Sequence, residues 1–165
     1  MMTNIENIYA CGDCIESKDR ITGEIGLSLR WPNAKRQGWT AGHNCTGERI
    51  RFKGSFNVTG LEIFGHYAVS AGIGAASVNP GKKFHIEEKN FGSSFYRLIL
   101  EDHRLVGMQL INYSQDSGLL FSRMLRRDNL LKLAKEVQNY KSISVKPWNY
   151  WINRYGLFDK ERTNG

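Results

Sequence analysis

The chain has 165 residues, enough for one sizeable core or one core with a small appendage. Its apolar (41%) and charged (24%) shares are those of an ordinary globular protein; no apolar run reaches the length of a membrane span, and the polar start lacks the form of a signal peptide. The formal charge is +7, but the basic residues are dispersed (Lys82-Lys83, then Arg123, Arg126 and Arg127, then Lys132 and Lys135), which reads as solvated faces, with an acidic partner or bound anion as the alternative; no basic, aromatic-bearing surface precedes the C-terminal tail, so no nucleic acid is expected as a partner.

In chain order, residues 5–10 read as a short buried strand ending in the turn Gly12-Asp13. Residues 14–30 read as a loop punctuated by Gly23 and Gly26. Trp31-Pro32-Asn33 opens a helix, Pro32 suiting a first helical position because its missing N–H is unpaired there anyway. The helix runs to about Asn44 and Gly47 ends it. Ala34, Gly38, Ala41 and Gly42 make one face small, which permits close approach. From Phe52 the pattern turns to β, with Phe56, Val58, Leu61, Ile63, Tyr67 and Val69 among glycines. A strand is expected over 84–88, and stronger ones over 94–101 and 105–113, joined by a hairpin at Asp102-His103-Arg104. Leu119, Leu120, Met124 and Leu125 have helical spacing over 117–127, with Asp116 or Ser117 as N-cap. A second helix follows over 128–140, with Leu130, Leu131, Leu133, Ala134 and Val137 as its apolar stripe and Asp128 as its cap. The tail 146–151 is aromatic and less regular. The class is α+β.

The candidate chemistry begins at Asp13. In open α/β sheets ligands sit beyond the carboxyl ends of strands, where a carboxylate can accept from a sugar or polyol hydroxyl. The competing reading is an Asp that caps its own turn by accepting backbone N–H bonds. The start of the helix carries about half a positive charge and free N–H donors; for the Trp31 side chain the competing reading is plain packing. Cys11 and Cys14 form a C-x-x-C pair. Redox use needs a thiolate at a helix N-terminus, and metal use needs a second ligand pair, for which Cys45 with His43 is poor. Cys11 therefore reads as a small buried residue, and three cysteines make a reduced, cytoplasmic compartment the default. Gly72-Ile73-Gly74-Ala75-Ala76-Ser77 is not a phosphate loop, because no strand and G-x-G-x-x-G open a helix there. The four histidines have no partner at a telling spacing.

Tyr9-Ala10-Cys11-Gly12-Asp13 resembles the second flavin-binding motif of the FAD-dependent pyridine nucleotide-disulfide oxidoreductases, in the branch of NADH oxidases, ferredoxin and rubredoxin reductases and nitrite reductase flavin domains. The resemblance continues through Leu29-Arg30-Trp31-Pro32-Asn33-Ala34-Lys35-Arg36-Gln37-Gly38 and Ala41-Gly42-His43-Asn44. It returns at Leu61-Glu62-Ile63-Phe64-Gly65 and Ser70-Ala71-Gly72, and ends with Tyr96-Arg97-Leu98-Ile99-Leu100 and Leu105-Val106-Gly107. It spans roughly residues 3 to 127.

The resemblance implies that Asp13 holds the ribityl chain of FAD and that Gly12 lets the backbone pass close to it. The backbone of Trp31, Pro32 and Asn33 would face the flavin N1–C2=O edge, with Cys11 beside the flavin. It implies no catalytic side chain and no metal; the His-Glu pair of the disulfide reductases is missing. It also implies a remnant of a FAD-binding α/β domain (1–48), an interface domain of antiparallel sheet and C-terminal helices (49–140), and an aromatic tail (141–165). The chain would start inside the last strand of the FAD domain, as one piece of a split enzyme or a truncated product. The expected function is that of a C-terminal portion or subunit of a FAD-dependent NAD(P)H oxidoreductase, inactive alone, with FAD bound only when an upstream segment or partner chain completes the site. A homodimer or a partner flavoprotein subunit is the expected assembly. The rival is a non-catalytic dimerisation or docking module using Leu130, Leu131, Leu133, Val137, Trp148, Tyr150 and Trp151.

Overall fold

The computed structural model describes residues 1–78, 81–113 and 117–132. A two-stranded hairpin, β1 (Glu16–Lys18) and β2 (Ile25–Leu27), precedes helix α1 (Trp31–Cys45). Five antiparallel strands follow: β3 (Val58–Ile63), β4 (His66–Gly72), β5 (Phe84–Phe91), β6 (Ser94–Glu101) and β7 (Arg104–Ile111). They are ordered β3-β4-β7-β6-β5, and helix α2 (Ser117–Arg126) lies against β7. An antiparallel sheet with few helices is thus the architecture. Among the described residues no helix is long and apolar enough to cross a membrane.

The tight turns follow from local chemistry. Between β6 and β7, Asp102 and His103 both have positive φ (48° and 60°), the signature of a I′ hairpin whose twist matches its strands. Asp is among the residues that tolerate this conformation. Strand β5 runs three residues beyond the expected 84–88, because Lys89, Asn90 and Phe91 remain paired with Tyr96, Phe95 and Ser94. Along β6, Tyr96, Leu98, Ile99 and Leu100 are all buried. Successive side chains of a strand point to opposite faces, so both faces of the sheet are covered at its centre. Leu105, Val106, Met108 and Leu110 of β7, Leu120 and Met124 of α2, and Ile21 complete this core.

Three expectations are corrected. Residues 5–10 form no strand: Tyr9 makes one isolated bridge to Met2, the Thr3 N–H donates to the Ile8 carbonyl, and Ile5 and Ile8 stay exposed. Their β-favouring side chains have no sheet to join among the described residues. Residues 14–30 are not all loop. Glu16 to Lys18 pairs with Leu27 to Ile25, and Asp19 fastens the connection by accepting from the Ile21 and Thr22 N–H groups. Asp128 does not cap the second helix. Its carboxylate accepts from the Arg123 guanidinium at 2.9 Å, and Asn129 Oδ1 takes the Lys132 N–H instead. The rest of that helix (133–140) and the aromatic tail 141–165 lie outside the described residues.

Candidate functional site

Helix α1 positions the candidate site, and it does so with a polar buried face. Asn33, Gln37, Thr40 and Ala41 are its buried residues. The amide of Asn33 clips the chain at Phe56: Nδ2 donates to the Phe56 carbonyl (2.8 Å) and to Ser28 Oγ (2.5 Å), while Oδ1 accepts the Phe56 N–H. One helical repeat of eleven residues further, Asn44 does the same at Ile50, donating to its carbonyl and accepting its N–H. Between them, Gln37 Oε1 accepts the Gly12 N–H at 2.7 Å. Four polar residues at positions 33, 37, 40 and 44 lie on one helical stripe, the spacing that makes one face.

The expected site residues come together as follows. Gly12 has φ +86°, a conformation glycine adopts without strain, and a methyl added there would sit 4.0 Å from the Ala34 methyl. A methyl added at Gly38 would likewise lie 4.0 Å from Cys11 Sγ, so the small face of α1 does carry the Cys11–Gly12 backbone. Asp13 follows, exposed, and its carboxylate makes no hydrogen bond or ion pair among the described residues. The turn-cap reading of Asp13 therefore has no hydrogen bond to support it. Cys11 is half-buried rather than buried, and the Cys14 thiol donates to the Cys11 carbonyl; both thiols are free. Among the described residues no cluster of metal-ligating side chains is present.

The start of α1 has no side-chain cap and no acidic residue in its first turn, so its partial positive charge is unneutralised. Its donors are fewer than expected: Pro32 has none, and the Asn33 N–H already donates to the Arg30 carbonyl at 2.9 Å. Of the three, the Trp31 N–H is the one left for a ligand. The Trp31 side chain is 73% exposed, with Lys35 Nζ 5.2 Å from its ring centre, so it does not pack into the core. The Asn33 side chain is spent on its clip.

A cleft of about 1000 Å³ opens elsewhere, lined by Lys18, Arg20, Arg51, Lys53, Arg126 and Arg127. Asp13 does not line it, so the volume and the uncommitted carboxylate do not coincide.

The described residues thus combine one antiparallel five-stranded sheet with a glycine turn, an exposed carboxylate and a helix start beside it. No protein-family model matches the chain. It is 42% identical over 79 residues to an NADH oxidase of Methanocaldococcus jannaschii, a match covering 48% of this chain and 18% of that protein. It is 39% identical over 59 residues to a CoA-dependent NAD(P)H sulfur oxidoreductase of Pyrococcus abyssi, covering 36% of this chain and 13% of that protein. In fold it is similar to an NAD-dependent persulfide reductase from A. fulgidus, with a TM-score of 0.71 and 25% identity over 82% of this chain and 28% of that one. A FAD-dependent pyridine nucleotide-disulphide oxidoreductase from Desulfovibrio vulgaris shares the fold at a TM-score of 0.66. The chain thus spans under a third of the length of these relatives, apart from the last, of which it spans 37%. It is a homologue of the pyridine nucleotide-disulfide oxidoreductases and matches a partial, C-terminal region of that family.

Proposed function

We propose that this chain supplies the C-terminal share of a FAD-dependent NAD(P)H oxidoreductase, with residues 1–48 completing a FAD-binding domain and residues 49–140 forming an interface domain. The observation that carries the reading is the Asp13 carboxylate, which follows a positive-φ glycine turn against α1 and has no hydrogen bond or ion pair among the described residues. A carboxylate kept free in this way fits a ribityl hydroxyl as donor. The uncapped start of α1, with the Trp31 N–H, fits a developing negative charge on the flavin edge. Bound FAD would supply the hydride chemistry; the chain's own residues bind and orient.

The residues fit one part of that cofactor only. The glycine fingerprint that cradles a pyrophosphate is not in this sequence. One charge-assisted hydrogen bond, about 1.5–3 kcal/mol, and a helix end, about 1 kcal/mol, together support an affinity of about millimolar at best. Isothermal titration of the isolated chain should therefore give an FAD affinity weaker than micromolar. Tighter binding would overturn the division of the site between segments. Nuclear magnetic resonance titration with millimolar FAD tests the reading itself: shifts should concentrate at Gly12, Asp13 and Trp31, and a response spread evenly or absent there would sink it.

The docking role has its own observation. Leu61, Ile63, Phe64 and Tyr67 are exposed on the β3–β4 hairpin, Phe64 at 97% and with φ +50°, where a bulky side chain is strained. This outer hairpin, rather than the doubly covered centre of the sheet, is one exposed apolar surface among the described residues that would suit a second copy or a partner flavoprotein subunit. Sedimentation equilibrium of the chain should show self-association that Phe64→Ser weakens. A monomer at micromolar concentrations, unchanged by the substitution, would remove the homodimer from the reading.

A further inference from the structure

We propose that Gln37 is the positioning residue of the Gly12–Asp13 turn, the group that fixes where the Asp13 carboxylate points; the consequence for cofactor binding rests on the function proposed above. Gln37 is 1% exposed. Its Oε1 accepts the Gly12 N–H at 2.7 Å. Its Nε2 donates to Ser55 Oγ at 3.1 Å and reaches Ser17 Oγ at 3.5 Å, and those two hydroxyls bond each other at 2.6 Å. The orientation of the amide is dictated by its partners. The Gly12 N–H can only donate, so the oxygen must face it, and the NH₂ faces the hydroxyls, which can accept.

Asp13 has no side-chain bond among the described residues, so its direction is inherited from the backbone before it. That backbone is a glycine at φ +86°, which on its own would visit several conformations with equal ease. One buried amide therefore ties helix α1 to three other places in the chain: the turn at Gly12, the hairpin strand β1 through Ser17, and the segment at Ser55. Asn33, one turn earlier on α1, holds Phe56 in the same manner, so the helix carrying Gln37 is itself fixed to that segment. The Gly12 N–H has no other backbone partner among the described residues, and the loss of the Gln37 oxygen frees the turn.

The test uses the full 165-residue chain and two variants. Gln37→Met keeps the length and removes both functions of the amide. Gln37→Glu keeps an oxygen for Gly12 and removes the donors to Ser55 and Ser17. Amide hydrogen exchange at Gly12 should accelerate tenfold or more in Gln37→Met and stay near wild type in Gln37→Glu, with Leu98 to Leu100 of β6 as the internal check that the sheet is intact. Equal acceleration in both variants, or none in either, overturns the assignment. Titration with millimolar FAD then reads the consequence. Gln37→Met should weaken binding, and the double variant Asp13→Ala/Gln37→Met should be no weaker than Asp13→Ala alone, because Gln37 acts through Asp13. Additive losses would make Gln37 a general stabiliser and overturn the positioning role. A wild-type chain without any FAD response would instead overturn the proposed function, while Gly12 exchange still decides the lock.

Discussion

Gly107→Ala and Gly72→Ala should each cost about 3 kcal/mol, read as a fall in the urea midpoint, a large fraction of the stability of an ordinary domain. The two glycines face each other across the β4–β7 seam. A methyl on Gly107 would overlap the Ile73 carbonyl oxygen, and one on Gly72 would overlap the Val106 carbonyl oxygen. These are backbone atoms on both sides, so no side-chain rotation relieves the contact. Gly72 adds a second cost, since its φ of +70° strains any residue with a Cβ. The close approach has a visible cause. Ile99 pairs with Gly107 but Leu100 pairs with Leu105, so Val106 is an extra residue on β7. The bulge leaves its carbonyl to accept the Ile73 N–H at 3.0 Å. Because β4 joins the outer hairpin to the rest of the sheet, opening this seam should release β3 and β4 first. Gly60→Ala is the control: its nearest neighbour is the end of the Tyr67 side chain at 3.3 Å, which can give way. Midpoints for the seam variants within error of Gly60→Ala would refute the account.

Asp13→Ala should weaken FAD binding roughly tenfold to 150-fold once an upstream segment or partner chain completes the site. That range corresponds to about 1.5–3 kcal/mol for a hydrogen bond to a charged group. The substitution should leave stability nearly untouched, since the carboxylate is exposed and has no hydrogen bond or ion pair among the described residues. The pair of readings separates the two roles weighed for this residue. A turn-capping Asp would lose stability and leave flavin retention alone; a ligand-holding Asp does the reverse. Flavin retention measured from the visible absorption of the purified complex, beside the thermal midpoint, distinguishes them.

Much of this arrangement was legible in the residues. Pro32 at the helix start, the hairpin at Asp102-His103 and the apolar spacing of Leu120 and Met124 are local signals, and each element stands where its signal lies. Others misled because their outcome depends on a partner. Ile5 and Ile8 have strand character, but a strand exists only where another strand pairs with it. Residues 16–18 and 25–27 lack a strong pattern, yet they pair because Asp19 closes the turn between them. The small face of α1 was legible in the sequence but its buried polar stripe was not, since Asn and Gln are residue types found mostly at the surface. Asn33 and Gln37 are buried because isolated segments at Gly12 and Ser55 to Phe56 offer backbone and hydroxyl groups that need partners.

What the residues by themselves determined is the helix at Pro32 and the strands and helix that follow it, the Gly12-Asp13 turn before that helix, and the kinship those motifs carry. Only the tertiary structure decided which groups are free to act. The Asn33 N–H is taken locally, by the Arg30 carbonyl, but which amide aims the carboxylate depends on hydrogen bonds between residues 18 to 25 positions apart. A local sequence pattern encodes conformation; it does not encode the pairing of donors and acceptors that distant chain segments bring within about 3 Å of each other.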